Sequence, residues 1–298
     1  MAPKVARHPP ASGIGSLMAY WRFYRAVAAA QLATWLATSV RRGGELLVDM
    51  SGPHLPCAAQ AAAAGHAVVH VVAADLGAPA GPGAPEPAAA RSLLIAAPLT
   101  ADNGSRCDRS PDGRSRRQGS VATVYADPAA LPFLDDHTVD GIIADDRALS
   151  RHLFTEQAIA EAARVLRPGG RLLACFDSLV LGMAILAEQR HWVELTDLPS
   201  AEVVLVPWPD GTITRCFGIE QLRDLFTEAG LDITWIRPRT VLSPTTVEHI
   251  LGRDQAALAL LLRAELAADP DESVGIHLIV NARKPLPHTW RRLAPPGS

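Results

Sequence analysis

Thr155–Phe176, TEQAIAEAARVLRPGGRLLACF, changes its period partway along. From Thr155 to Leu166 the apolar residues stand at helical spacing, Pro168-Gly169-Gly170 is a turn, and Arg171 to Phe176 reads as a buried strand. A helix passing by a tight turn into an apolar strand is half of a βαβ unit, in which parallel strands need the helix as their crossover. Whether the unit recurs on either side decides the fold class.

On the N-terminal side it recurs. Glu45 to Met50 is a short buried strand after Gly43-Gly44. Pro56 suits the first position of an alanine-rich helix to Ala64, which Gly65 ends, and Ala67 to Val72 is a second buried strand. This places a ligand crevice at Met50 to Leu55. Val121 to Ala126 and Gly141 to Ala144 are further strands. On the C-terminal side, Leu179 to Gln189, Ile219 to Ala229 and Thr246 to Ala267 read as helices, with Gly230 closing the second. Asp232 to Ile236 and Ile276 to Ala282 read as strands. The apolar runs Val203 to Pro207 and Thr212 to Phe217 flank a Trp208-Pro209-Asp210-Gly211 turn, a hairpin-like excursion expected over the active face. The pattern is α/β throughout, without internal repeats.

Two segments stand apart. From Ser16 to Arg41, Trp21, Tyr24, Ala28, Leu32 and Trp35 form an aromatic helical stripe that either docks on the main domain or lines a substrate pocket. From residue 76 to 120 the sequence turns Pro-, Gly- and Arg-rich and is expected to be a flexible insertion, with Ser92 to Pro98 a strand or helix remnant inside it. The expected organisation is an N-terminal extension at 1–40, a main domain at 41–285 and a tail at 286–298.

Composition narrows the partners. The 298 residues carry 28 basic and 31 acidic side chains, a net charge of -3. No global field favours nucleic acid or an anionic membrane, and a small-molecule partner is expected. The cysteines Cys57, Cys107, Cys175 and Cys216 form no C-x-x-C pair, which argues against zinc and against a disulfide framework. Pro9, Pro10, Gly13 and Gly15 occupy the place where a secretion signal needs its apolar stretch, and Cys57 to Ala74 is too interrupted to span a bilayer. A cytoplasmic location is expected.

Three stretches resemble class I S-adenosylmethionine (SAM) dependent methyltransferases, nearest to the group containing the ubiquinone and menaquinone C-methyltransferases. Ala126-Asp127-Pro128-Ala129-Ala130-Leu131-Pro132-Phe133 is similar to that group's G-D-x-x-x-L-P-F segment, and Val139-Asp140 to its F-D pair. Glu161 to Leu173 is similar to E-x-x-R-V-L-x-P-G-G-x-L. Phe217 to Leu222, Ala229 to Asp232 and His277 to Lys284 resemble its later elements. The resemblance implies a Rossmann-like seven-stranded sheet of order 3-2-1-4-5-7-6 with the last strand antiparallel. SAM would lie across the carboxyl ends of the first strands. It also implies a methyl acceptor as second substrate; a homodimer is a further expectation.

The cofactor positions carry over residue by residue. Asp49 matches the acid that orders the first loop, and Asp127, followed by Pro128, matches the adenine-side acid; Asp145 stands after the fourth strand. Counting from Asp49, the glycines of D-x-G-x-G-x-G fall on Ser51, Pro53 and Leu55, with Gly52 between them. The ribose acid falls on Val72. Proline has no N–H to offer a carboxylate, and an apolar Val72 removes charge-assisted hydrogen bonds worth about 1.5 to 3 kcal/mol. Asp75, Arg22 and Arg25 are possible substitutes.

Methyl transfer from a sulfonium mainly requires alignment of the nucleophile with the methyl group. For a hydroxyl or amine acceptor a general base helps, and Asp145, Asp146 and His152 are the candidates after the fourth strand. Asp145 and Asp146 also suit a solvated loop and helix cap, and His152 an exposed or satisfied loop histidine. Two readings follow: a SAM-dependent methyltransferase acting on a small molecule, or a non-catalytic relative that keeps the fold for binding or regulation. A nicotinamide-dependent oxidoreductase would want the same missing glycines and acid.

Overall fold

A computed structural model describes residues 17–39, 44–52, 56–73, 94–95, 119–198, 201, 203–208, 211–268 and 275–287. Most of the expected insertion, Asp75, the first and last segments, and Pro53, His54 and Leu55 of the first loop lie outside the described residues.

The strands expected from the sequence form one sheet. β1 (Leu46–Asp49) pairs in parallel with β2 (Ala67–Ala73) and β5 (Val139–Ala144). β2 continues in parallel to β4 (Ser120–Ala126), which takes the two-residue β3 (Leu94–Ile95) antiparallel on its far side. On the other flank β5 pairs in parallel with β6 (Leu166–Ser178), then β10 (His277–Arg283) lies antiparallel between β6 and β9 (Asp232–Pro238). Without β3 and the hairpin, the spatial order β4-β2-β1-β5-β6-β10-β9 is the expected 3-2-1-4-5-7-6, with the final strand reversed.

Helices cover both faces because adjacent strand residues point to opposite sides; α3 (Ala148–Arg151) follows β5 in the chain, and α5 (Leu179–Glu188) and α6 (Trp192–Asp197) follow β6. Val48, Ile142, Leu172 and Val280 pack on one face with α4 (Thr155–Val165) and α7 (Ile219–Glu228). Their neighbours Leu47, Ile143, Leu173 and Ile279 pack on the other with α1 (Met18–Ser39) and α2 (Cys57–Ala63). The aromatic helix thus docks on the main domain. Its second half reaches the sheet through Leu32 and Trp35, whose Nε1 donates to Asn281 Oδ1 at 2.9 Å. Its first half, with Tyr20, Phe23, Tyr24 and Val27, packs on α8 (Pro244–Arg253) and α9 (Leu258–Ala267).

Two elements differ from expectation. The helix expected over Thr246 to Ala267 is broken: after Arg253, Asp254 leaves helical geometry and its carboxylate accepts the Ala256 N–H at 2.9 Å, starting a short 3-10 turn before α9. Asp competes in this way with the helix's own hydrogen bonds. The Pro168-Gly169-Gly170 turn lies within β6, with Gly169 at φ 81° and the Gly169 and Lys284 N–H groups bonded to the Lys284 and Gly170 carbonyls. The hairpin forms as β7 (Val204–Pro207) and β8 (Ile213–Phe217), and β8 extends the carboxyl end of β6 in parallel.

The segments that looked most diagnostic in sequence hold each other. Glu161 accepts the Leu131 N–H at 2.7 Å and two donors of Arg164 at 2.8 Å each, while Arg164 donates to the Leu131 and Leu134 carbonyls. The Leu131-Pro132-Phe133 turn is thereby tied to α4.

Candidate active site

The carboxyl ends of β1, β4 and β5 gather most of the residues singled out from the sequence. At the end of β1, Asp49 is buried and its carboxylate accepts the Ser51 N–H at 2.9 Å. Burial raises the Asp49 carboxyl above its ordinary value, against the hydrogen bonds from Ser51. Ser51 Oγ accepts the Asp145 N–H at 2.9 Å, and the Gly52 N–H donates to the Asp145 carbonyl at 3.2 Å. The β1 and β5 loops are therefore laced together.

Asp145 and Asp146 are not solvated: they are 1% and 5% exposed. Arg239, just past β9, forms a buried ion pair with Asp145 Oδ1. Although burial opposes its charge, Asp145, Cys175 and Tyr24 together hold the guanidinium well above its ordinary value. Asp146 packs on Gly52 so closely that a Cβ there would lie 2.3 Å from Asp146 Oδ2. The absence of a side chain at Gly52 thus makes room for the neighbouring carboxylate. Asp146 and Arg147 both have left-handed backbones, at φ 55° and 59°, a conformation that non-glycine residues hold only when their surroundings enforce it.

At the end of β4, Asp127 accepts the Ala129 N–H at 2.9 Å and its Oδ1 lies 2.9 Å from His152 Nε2. Pro128 is buried in the turn that follows. The structure thus pairs Asp127 with His152, two residues singled out separately in the sequence. Thr155 Oγ1 donates to the carbonyls of Leu149 and His152, fixing the loop that presents His152. Val72 lies in β2 opposite Tyr125 of β4, away from these contacts.

SAM presents donors at its amino group and adenine, and a carboxylate that needs donors. Asp127, whose side chain is 39% exposed, is an accessible acceptor for the adenine side. Asp145 Oδ2 is a buried oxygen without a hydrogen-bond partner among the described residues, and suits an ammonium. The Ser51 and Gly52 N–H groups, by contrast, are already used within the chain. The acceptor side of the site fits the cofactor; the two amides do not supply its carboxylate.

Two cavities among the described residues lie elsewhere. One of about 700 Å³ borders Arg171, Gly230, Asp232 and Arg283 at the opposite edge of the sheet, and one of about 310 Å³ lies between Trp35, Trp235 and Leu266. No group of histidine, cysteine and acidic residues suited to a metal occurs among the described residues, and no described helix is long and apolar enough to cross a membrane.

Sequence reasoning missed Arg239, which enters the β1–β5 region from a distant strand, and the pair Asp177 and His277. Asp177 is the last residue but one of β6 and pairs in register with His277, which begins β10. A buried strand that ends in a charged residue was the signal for Asp177; nothing local marked Arg239.

Residues 90–174 match the profile of a family described as "Methyltransferase domain". No curated protein sequence matches the chain. Among solved structures, a SAM-dependent methyltransferase from Methanosarcina mazei is similar at 14% identity and TM-score 0.48, covering 85% of this chain and 97% of its own. A putative one from Listeria monocytogenes stands at 10% and 0.48, covering 87% and 98%. The 1,6-didemethyltoxoflavin-N1-methyltransferase of Burkholderia thailandensis stands at 15% and 0.46, covering 89% and 81%. The matched segment spans β4, β5, α4 and most of β6, and the strand order around it is the one that the resemblance to class I SAM-dependent methyltransferases implies.

Proposed function

We propose that the protein transfers the methyl group of SAM to a small-molecule acceptor. The observation that carries this reading is the pairing of Asp127 with His152 beside Asp49, Ser51 and Asp145, because it assembles the adenine-side acid and the polar ends of β1 and β5 along one sheet edge. Bound SAM would supply a methyl group already activated on a sulfonium. Asp127 would hold the adenine amine, and Asp145 Oδ2 the amino group. Asp49 acts through Ser51, holding the loop in place. His152, fixed by Asp127 at one nitrogen, keeps Nδ1 buried without a partner among the described residues, and is the proposed base for an acceptor proton. Asp146, packed on Gly52, is proposed to shape the loop rather than to take that proton.

A second reading, a non-catalytic domain used for binding or regulation, draws support from the committed Ser51 and Gly52 amides and from the buried Asp145–Arg239 pair. Calorimetric titration with SAM and S-adenosylhomocysteine separates the two. Binding that weakens about tenfold or more in Asp127→Ala supports methyl transfer. No heat and no thermal shift at millimolar ligand would rule it out.

A further inference from the structure

A second group of polar side chains is buried at the carboxyl edge, where β6 and β8 end and β10 begins. Asp177 Oδ2 accepts from Thr214 Oγ1 at 2.5 Å, and the Asp177 N–H donates to Ser150 Oγ at 2.8 Å. Its other oxygen, Oδ1, lies 3.5 Å from His277 Nε2 and 3.6 Å from Arg147 Nη1. Among the described residues, Asp177 Oδ1 and both His277 ring nitrogens have no hydrogen-bond partner. Burying polar atoms in this state is costly, and three in one place mark a position that a ligand's polar group would satisfy.

The surroundings define its shape. Trp21 and Tyr24 of α1 stand with ring centroids 6.2 and 5.2 Å from that of His277. The Arg147 guanidinium lies over Trp21 and over Trp208, at 5.9 and 5.3 Å, and closes the group with its side chain 11% exposed. Arg147 is carried by the left-handed pair Asp146–Arg147, so the closing side chain sits on a strained backbone.

We propose that Asp177 Oδ1 and the His277 imidazole bind the hydroxyl of a neutral aromatic acceptor, which reaches them when Arg147 leaves the gap between Trp21 and Trp208. A hydroxyl donates once and accepts, and so meets both a carboxylate oxygen and an imidazole N–H. A neutral hydroxyl supplies what these contacts ask for, one donor to the carboxylate and one acceptor to the imidazole. Burial, with Arg147, Arg239 and Arg151 nearby, holds the His277 pKa well below its ordinary value, so the ring is uncharged. The indole and phenol rings make the walls aromatic. Burial raises the Asp177 carboxyl and Arg147 opposes that rise. Moving Arg147 aside leaves Asp177 Oδ1 open to accept the hydrogen bond of the arriving hydroxyl. That the ligand is a methyl acceptor rests on the function proposed above; the site itself does not.

The test is fluorescence titration of the full chain with 2-naphthol. The wild type binds, naphthalene binds about tenfold more weakly, and Asp177→Asn and His277→Leu each lose about tenfold. Arg147→Ala binds more tightly than wild type because the gap stands open. His277→Leu removes no side-chain hydrogen bond made among the described residues and keeps an apolar side chain against Trp21 and Tyr24, so it carries the test if Asp177→Asn does not fold. No binding at millimolar 2-naphthol, equal binding of naphthalene, an unchanged His277→Leu or a weaker Arg147→Ala would each overturn the proposal. A parallel SAM titration keeps the two ideas apart: SAM binding without 2-naphthol binding removes only this site, and the reverse removes only methyl transfer.

Discussion

Arg239 Nη donates to Asp145 Oδ1 between side chains that are each 1% exposed, joining the chain just beyond β9 to the end of β5 across the sheet edge. A buried ion pair gains little over apolar packing, yet losing one member leaves a charge in a medium that cannot solvate it. Asp145→Asn and Arg239→Met are each expected to cost about 3 to 5 kcal/mol in urea unfolding. A double variant that replaces both with apolar residues should cost less than the sum of the singles. Additive losses would mean that the two residues act separately.

Gly52 and Asp146 should be coupled. Gly52→Ala places a methyl group against Asp146 Oδ2, and overpacking of this kind costs about 1 to 3 kcal/mol. Asp146→Ala vacates that space, so the Gly52→Ala penalty should largely disappear in its background, read as a double-mutant cycle in thermal or urea unfolding.

His277 should leave a signature in the pH dependence of stability. Its folded pKa lies well below the ordinary 6.5, so below about pH 6.5 the unfolded chain binds more protons than the folded one. Folding stability is therefore fully present above about pH 6.5 and falls as the pH drops below it, by up to about 1.4 kcal/mol per pH unit. His277→Leu should flatten that part of the profile and be at least as stable as wild type at pH 7. A profile unchanged by the substitution would place the imidazole in water.

Glu161 should govern the acid limb. Arg164, and the Leu131 N–H behind it, lower the Glu161 pKa against the opposing effect of burial. Its contribution is present above the ordinary value of about 4.5 and lost as the pH falls through the lower folded value. Glu161→Gln should cost about 1 to 2 kcal/mol at pH 7, a figure already reduced because Arg164 is partly in water, and progressively less below about pH 4. Chemical denaturation at several pH values measures both.

Much of this protein was written locally. The period change within Thr155–Phe176, the glycine stops at Gly65 and Gly230 and the apolar runs of β1, β2 and β5 fixed the elements, because a helix or strand declares itself through its nearest neighbours. The resemblance carried by the segments around Asp127 and Glu161 to Gly170 implied the strand order that the sheet has. The sequence also showed, at Ser51, Pro53, Leu55 and Val72, where the glycines and the ribose acid are missing.

What only the tertiary structure decided were pairings between residues far apart in the chain. Asp145 and Asp146 could equally have faced solvent; Arg239, 94 residues later, holds the first inside and Gly52 admits the second. Asp177 and His277 meet because β10 turns antiparallel between β6 and β9, which sets the start of one strand beside the end of another. Burial, and with it charge state and hydrogen-bond satisfaction, belongs to the assembled sheet edge, because it depends on which distant side chains exclude the water.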